Sequence, residues 1–160
     1  MSRLDHRLGE QIVRFCGVGF NVIEWICRWL GRRRVEVIAT SDVRAKMMRD
    51  SASHVLVDVR SAAEHSVSRI PGAITQAEYE ADADSLAGRR VIVYCTVGGR
   101  SYLYARKLVS DGIDAVNYQE GILGWCRAEL PLESPGKRPT AEVHPYWRIF
   151  WVPDRYTVKT

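Results

Sequence analysis

Two apolar runs constrain the fold of this chain most tightly: His54-Val55-Leu56-Val57-Asp58-Val59 and Val91-Ile92-Val93-Tyr94. A strand that is apolar on both faces must be covered on both, which suits the middle of a parallel sheet. Around these runs the hydrophobic period keeps changing. Val35-Glu36-Val37-Ile38-Ala39 and Ala115-Val116-Asn117-Tyr118 read as two more strands. Helices are expected from a cap at Thr40 or Ser41 through Met47-Met48, over 61–67, weakly over 78–87, from Arg100-Ser101 to about Ser110, and near 122–125. Ile70-Pro71-Gly72-Ala73 and Asp111-Gly112 read as turns. Strands alternating with helices predict an α/β fold: a central parallel sheet covered by helices on both faces, with ligands at the strands' carboxyl ends.

The second run ends at such a position. Cys95 follows the strand, Thr96-Val97-Gly98-Gly99 follows Cys95, and Arg100-Ser101 opens a helical pattern with Leu103, Leu108 and Val109 among its apolar positions. A cysteine between a strand end and a helix start is placed like a nucleophile. Successive main-chain N–H groups there can converge on one anion, and the helix dipole adds positive potential. A free thiol titrates near ~8.5, and sites of this type bring thiols down to roughly 3.5–7.5. The competing reading is a plain core cysteine, for free cysteines are commonly buried. Gly-Gly-Arg-Ser favours the nucleophile, because a core cysteine needs neither a wide turn nor a guanidinium five residues on.

The length of 160 residues suits one globular domain with extensions, and a net charge of +4 is too diffuse to suggest nucleic acid. Cys16, Cys27, Cys95 and Cys126 form no C-x-x-C pair, and the four histidines are scattered. No metal site is expected, and a chain this long and this rich in apolar residues needs no disulfide staples, which fits a reducing, cytoplasmic setting.

Residues 1–34 are expected to form an N-terminal amphipathic helix with a basic linker, 35–132 the main domain, and 133–160 a proline-containing linker and aromatic tail. In the first segment Arg3, Arg7, Glu10, Arg14, Gly17, Asn21, Glu24 and Arg28 make a narrow polar stripe. Most of the surface from Ile12 to Leu30 is apolar, wider than one packing face requires. Packing on its own domain or self-association ranks first for this helix. Peripheral membrane contact through residues 1–30, helped by Arg32-Arg33-Arg34, ranks second, and spanning a bilayer third. A cleaved signal peptide fits poorly, since charged residues interrupt the apolar stretch. Tyr146, Trp147, Phe150, Trp151 and Tyr156 crowd the tail and are expected to pack on the domain or the first helix.

Taken in order, Val55-Leu56-Val57-Asp58-Val59-Arg60, Glu64, Ile70-Pro71-Gly72-Ala73-Ile74, the loop from Cys95 to Arg100 with Ser101, Gly121-Ile122-Leu123-Gly124-Trp125 and Leu130-Pro131-Leu132 resemble the rhodanese (sulfurtransferase) family. The resemblance covers roughly 35–132 and reaches neither the N-terminal helix nor the aromatic tail. It implies a single-domain enzyme, with no organic cofactor, that moves a sulfane sulfur from a small anionic donor such as thiosulfate, or from a protein persulfide, to a thiol or other thiophilic acceptor. Cys95 would carry the persulfide between the two steps. Thr96, Val97, Gly98, Gly99 and Ser101 would form the substrate-binding loop, their N–H groups cradling the negative sulfur. Arg100 would support the loop, orient the donor, or both, while Asp58 and Arg60 would be structural support.

Two rivals stand beside this reading. One is a non-catalytic interaction module with Cys95 idle and the first helix recruiting a partner or a membrane. The other is a phosphatase, which the loop length disfavours: counting Cys95 and Arg100 it has six residues, while the related cell-cycle dual-specificity phosphatases have seven. The family often has Gly-His before Ile-Pro-Gly-Ala, where this chain has Ser68-Arg69. Cys126, after Trp125, is expected to be inert core.

Overall fold

The structure, a computed structural model, describes residues 34–147 and 150–160. The expected N-terminal helix, with Cys16 and Cys27, lies outside the described residues. Nine short strands and five helices are described, and the five strands that matter form one all-parallel sheet in the order β1-β5-β4-β2-β3. They are β1 (Glu36–Ile38), β2 (His54–Asp58), β3 (Ile74–Thr75), β4 (Arg90–Tyr94) and β5 (Ala115–Tyr118). The two apolar runs, β2 and β4, are adjacent and interior, with Val55 opposite Val91 and Asp58 opposite Tyr94.

Alternation along these strands builds a core on each face of the sheet. Leu56, Ile92, Tyr94, Val116 and Tyr118 point to one face, where α1 (Thr40–Arg49) contributes Val43 and α5 (Gly121–Arg127) contributes Ile122, Trp125 and Cys126. Val55, Val57, Val91, Val93 and Ala115 point to the other. There α3 (Gln76–Ala81) adds Tyr79, and α4 (Gly99–Ser110) adds Tyr102, Ala105 and Leu108. The short α2 (Ala62–Val67) follows β2. Among the described residues no helix is long and apolar enough to cross a membrane.

Several boundaries differ from expectation for local reasons. The N-cap of α1 is Ala39, not Thr40 or Ser41. Asp42 takes the Ala39 N–H, and Glu120 takes both the N–H and the hydroxyl of Thr40, so a distant carboxylate caps this helix. The 78–87 stretch is helical only as α3, because Thr75 and Glu78 form a capping box that starts the helix early. On α4 Leu103 faces solvent, and Tyr102 and Tyr104 take the buried positions.

The proline-containing segment is not a bare linker. β6 (Leu132–Glu133) pairs antiparallel with β7 (Pro139–Thr140), and Leu132 is buried in the core. Arg69 secures this hairpin: its N–H donates to the Glu133 carbonyl at 2.8 Å and its carbonyl accepts from the Glu133 N–H at 3.0 Å. Its guanidinium also donates to the carbonyl of Pro135 at 3.1 Å. Arg69 thus ties the Ile70-Pro71-Gly72-Ala73 turn to the carboxyl side of the domain. Farther on, β8 (Glu142–Val143) pairs with β9 (Thr157–Val158). Val143, Phe150 and Tyr156 are buried, whereas Tyr146, Trp147 and Trp151 are roughly half exposed.

Candidate active site

The loop that leaves β4 is shaped by what its carbonyls are given. Ile122 N–H donates to the carbonyl of Cys95 at 2.9 Å and Leu123 N–H to that of Thr96 at 3.3 Å, so the first turn of α5 holds both outward. The Gly98 carbonyl accepts from Tyr102 N–H at 3.2 Å and from Asn117 Nδ2 at 3.2 Å. Among the described residues, no hydrogen bond takes up the main-chain N–H groups of residues 96–101. With three of its carbonyls turned to the scaffold, the loop leaves these donors without a hydrogen-bond partner among the described residues, at the N-terminus of α4.

Two glycines make this close contact sterically feasible. Gly98 has φ 84°, and a Cβ there would stand 2.1 Å from the Gln119 carbonyl oxygen. Gly121 has φ 58°, and a Cβ would stand 2.3 Å from the Cys95 carbonyl oxygen. Any side chain at either position would drive the loop off the start of α5.

Cys95 lies at this turn with 1 % of its surface exposed. Ser101 Oγ is 3.5 Å from its sulfur and 2.7 Å from Asn117 Oδ1. The Gly98 carbonyl can only accept, so the Asn117 amide presents NH2 to Gly98 and oxygen to Ser101. The single hydroxyl hydrogen of Ser101 can therefore serve Asn117, leaving its oxygen to a thiol, or turn to serve a thiolate.

Arg100 does not point free into the loop. Its Nη1 donates to Glu64 Oε2 at 2.7 Å, and its Nη2 donates to Glu64 Oε1 at 2.8 Å and to Thr96 Oγ1 at 2.9 Å. Thr96 Oγ1 donates in turn to Glu64 Oε1 at 2.7 Å. Burial alone would push the Glu64 carboxyl up, but hydrogen bonds from Arg100, Thr96 and Ser61 hold it at about 2. Arg100 and Glu64 thus stitch the loop to the start of α2, with their charges matched.

Asp58 and Arg60 form a second, fully buried pair. Arg60 Nε and Nη2 reach Asp58 at 2.9 and 2.7 Å, and Nη2 also donates to the Ser68 carbonyl at 2.6 Å. Tyr94 Oη donates to Asp58 at 2.8 Å and accepts from Ile70 N–H at 3.2 Å. This network fastens β2, β4 and the 70–73 turn behind the loop, and among the described residues no hydrogen bond joins it to Cys95. Cys126 is buried among apolar residues of the core, and burial pushes its thiol up to about 12.

The structure therefore gathers residues 95–101 at one sheet end and sets Asp58 and Arg60 in the scaffold. It also brings in three residues to which the sequence reading gave no role. Glu64 belongs to the motif series, and its Ser61-x-x-Glu64 spacing signals a helix cap; its bond to Arg100 is tertiary. Asn117 lies in a strand otherwise apolar, where an amide must find partners. Tyr146, from the tail, has its ring centre 4.7 Å from Arg100 Cζ, and no sequence signal links the two. Among the described residues no cluster of His, Cys, Asp and Glu is gathered to hold a metal ion.

Comparison with known proteins places these features in a family. The model of the rhodanese-like domain matches residues 40–128. A protein of Allochromatium vinosum named sulfurtransferase is 31% identical over 105 residues, covering 59% of this chain and 92% of that protein. The crystal structure of a thiosulfate sulfurtransferase from Pseudomonas aeruginosa is similar at 30% identity and a TM-score of 0.56, covering 65% of this chain and 21% of the other. The chain thus spans about a fifth of that protein. A structure from Rhodopseudomonas palustris, described as a protein of unknown function and possible tyrosine phosphatase, shares the fold with a TM-score of 0.55 at 24% identity. It covers 62% of this chain and 85% of that one.

Proposed function

The chain belongs to the rhodanese-like domain family, and from that premise we propose that it is a sulfurtransferase working through a persulfide on Cys95. The observation that carries this reading is the loop's division of its polar groups. The carbonyls of Cys95, Thr96 and Gly98 are held by α5, Tyr102 and Asn117, which reserves the N–H groups of residues 96–101 for a negative sulfur. Amide dipoles fixed in advance need no reorganisation when charge arrives, and in a buried site they act more strongly than in water.

In the first half-reaction the Cys95 thiolate attacks the outer sulfur of the donor. The donor's S–S bond breaks, its remainder leaves with the bonding pair, and Cys95 holds the transferred sulfur. In the second half-reaction a thiophilic acceptor attacks that sulfur and the Cys95 thiolate is restored. Ser101 fits both states by turning its hydroxyl from Asn117 to whichever sulfur carries charge. Cys95 is 1 % exposed, so the transferred sulfur is handled in a site largely shielded from water. Arg100 acts as the loop's fastening, with its positive charge answered by Glu64. A dianionic phosphate finds no free guanidinium inside a six-residue loop of this kind, which weighs against phosphatase chemistry.

Intact-mass measurement after exposure to a sulfane donor tests the reading. The full chain should gain one sulfur, an acceptor thiol should remove it, and Cys95→Ser should abolish the gain. Failure to load from thiosulfate and from an alkyl persulfide alike would refute it. Cys95-dependent hydrolysis of an aryl phosphate without sulfur loading would replace it with the phosphatase, and neither activity would leave the interaction module.

A further inference from the structure

Arg100 is the one basic residue in the segment 95–101, and its guanidinium is engaged on its edge and on its flat face. The two terminal nitrogens are given to Glu64 and Thr96. Tyr146 covers the flat face, its ring centre 4.7 Å from Cζ. The tail holds Tyr146 there. Phe150 is buried, the Trp147 ring stacks on it with centres 5.9 Å apart, and Trp147 lies 5.1 Å from the Tyr146 ring. Tyr146 N–H donates to His144 Nδ1 at 3.1 Å. The Tyr146 backbone has φ 69°, a left-handed conformation that persists in a bulky residue only where its surroundings impose it. The Arg100 side chain is 38% exposed even so, and without the ring this face would be open to an incoming anion.

The two kinds of donor make different electrostatic demands. When the Cys95 thiolate attacks thiosulfate, the S–S bond breaks and sulfite leaves with the electron pair, so three negative charges meet in the loop. When it attacks the outer sulfur of an alkyl persulfide, R–S–SH, the products are Cys95–S–SH and R–S⁻, and one negative charge is present throughout. Neither exchange needs an oxidant. Amide dipoles suffice for the second, whereas the first calls on a free cation, and the loop's own cation is occupied. We propose that Tyr146 is a specificity-determining residue that withholds Arg100 from the donor and biases Cys95 towards persulfides over thiosulfate. This deepens the sulfur-transfer reading and rests on it.

The test is the ratio of two loading rates on one preparation of the full chain, with thiosulfate and with glutathione persulfide as donors, read by intact mass. The ratio cancels the active fraction, so a partly unfolded variant remains informative. The wild-type chain should load faster from the persulfide. Tyr146→Leu should shift the ratio roughly two- to fivefold towards thiosulfate, the range expected from one exposed cation–π contact. Tyr146→Phe, which keeps the ring, should hold the wild-type ratio. Tyr146→Asn tolerates a positive φ and should shift the ratio like Tyr146→Leu. A wild-type preference for thiosulfate, an unchanged ratio in the Leu and Asn variants, or an equal shift in the Phe variant would overturn the proposal. Loading of the wild-type chain by neither donor would remove the sulfur-transfer reading itself.

Discussion

Asn117 holds the hydroxyl of Ser101 at 2.7 Å while its amide nitrogen holds the Gly98 carbonyl at 3.2 Å, so one strand side chain governs both ends of the loop around Cys95. The strand β5 thereby does more than fill the sheet. It sets the direction of a carbonyl and competes with the cysteine for a proton.

Replacing Asn117 with alanine should therefore hurt twice. It leaves the buried Ser101 hydroxyl with only the Cys95 sulfur, 3.5 Å away, and removes one of the two donors to the Gly98 carbonyl, a loss of about 1–3 kcal/mol in urea unfolding. Sulfur loading should fall by more than the folded fraction does. Loading that merely tracks stability would show that the amide has no bearing on the site.

Gly98→Ala should be far more damaging than a surface substitution. The new Cβ would meet the Gln119 carbonyl oxygen at 2.1 Å, in a backbone conformation that L-residues disfavour. Stability should drop by at least about 2–3 kcal/mol, and loading should be lost even where circular dichroism reports a folded chain. Gly72→Ala is the control: its φ is also positive, at 77°, but nothing lies within 4 Å of a Cβ there, and it should keep loading.

Glu64 predicts a pH dependence of known sign. Its carboxyl is held at about 2 against an ordinary 4.5, so its folded-state value lies below its unfolded one. The stabilisation is complete above about pH 5 and is lost as pH falls from the unfolded value through the folded one. It amounts to roughly 3 kcal/mol. Glu64→Gln should be less stable than the wild type at pH 7 by an amount of that order, and the gap should close towards pH 2. A gap independent of pH would mean that the Arg100 pair contributes little.

Cys126 should be silent towards alkylating agents. Its thiol is fully buried and pushed up to about 12, so iodoacetamide at pH 8 should leave the peptide carrying it unmodified until the chain is unfolded. Cys126→Ala should load sulfur like the wild type. Modification of native Cys126, or loss of loading in the alanine variant, would give it a part in the chemistry.

The limits of reading the chain directly follow from where each interaction begins and ends. The strands β2 and β4 were legible because continuous burial writes itself into composition, and α4 because its apolar positions recur at the helical period. The cap of α1 is not legible locally, because the carboxylate that takes the Thr40 N–H belongs to Glu120, eighty residues on. The hairpin of β6 and β7 was hidden because two-residue strands have no period, and its anchor, Arg69, lies on the opposite side of the domain's sequence.

The loop from Cys95 to Ser101 and the alternation that sets it at the end of a parallel strand are local properties, carried by the order of residue types alone. The matching of Arg100 to Glu64, the turning of the Gly98 carbonyl by Asn117 and the cover that Tyr146 lays over the guanidinium belong to the folded molecule. Each joins groups from separate elements, and such contacts depend on distances that exist only once the sheet has brought those elements together.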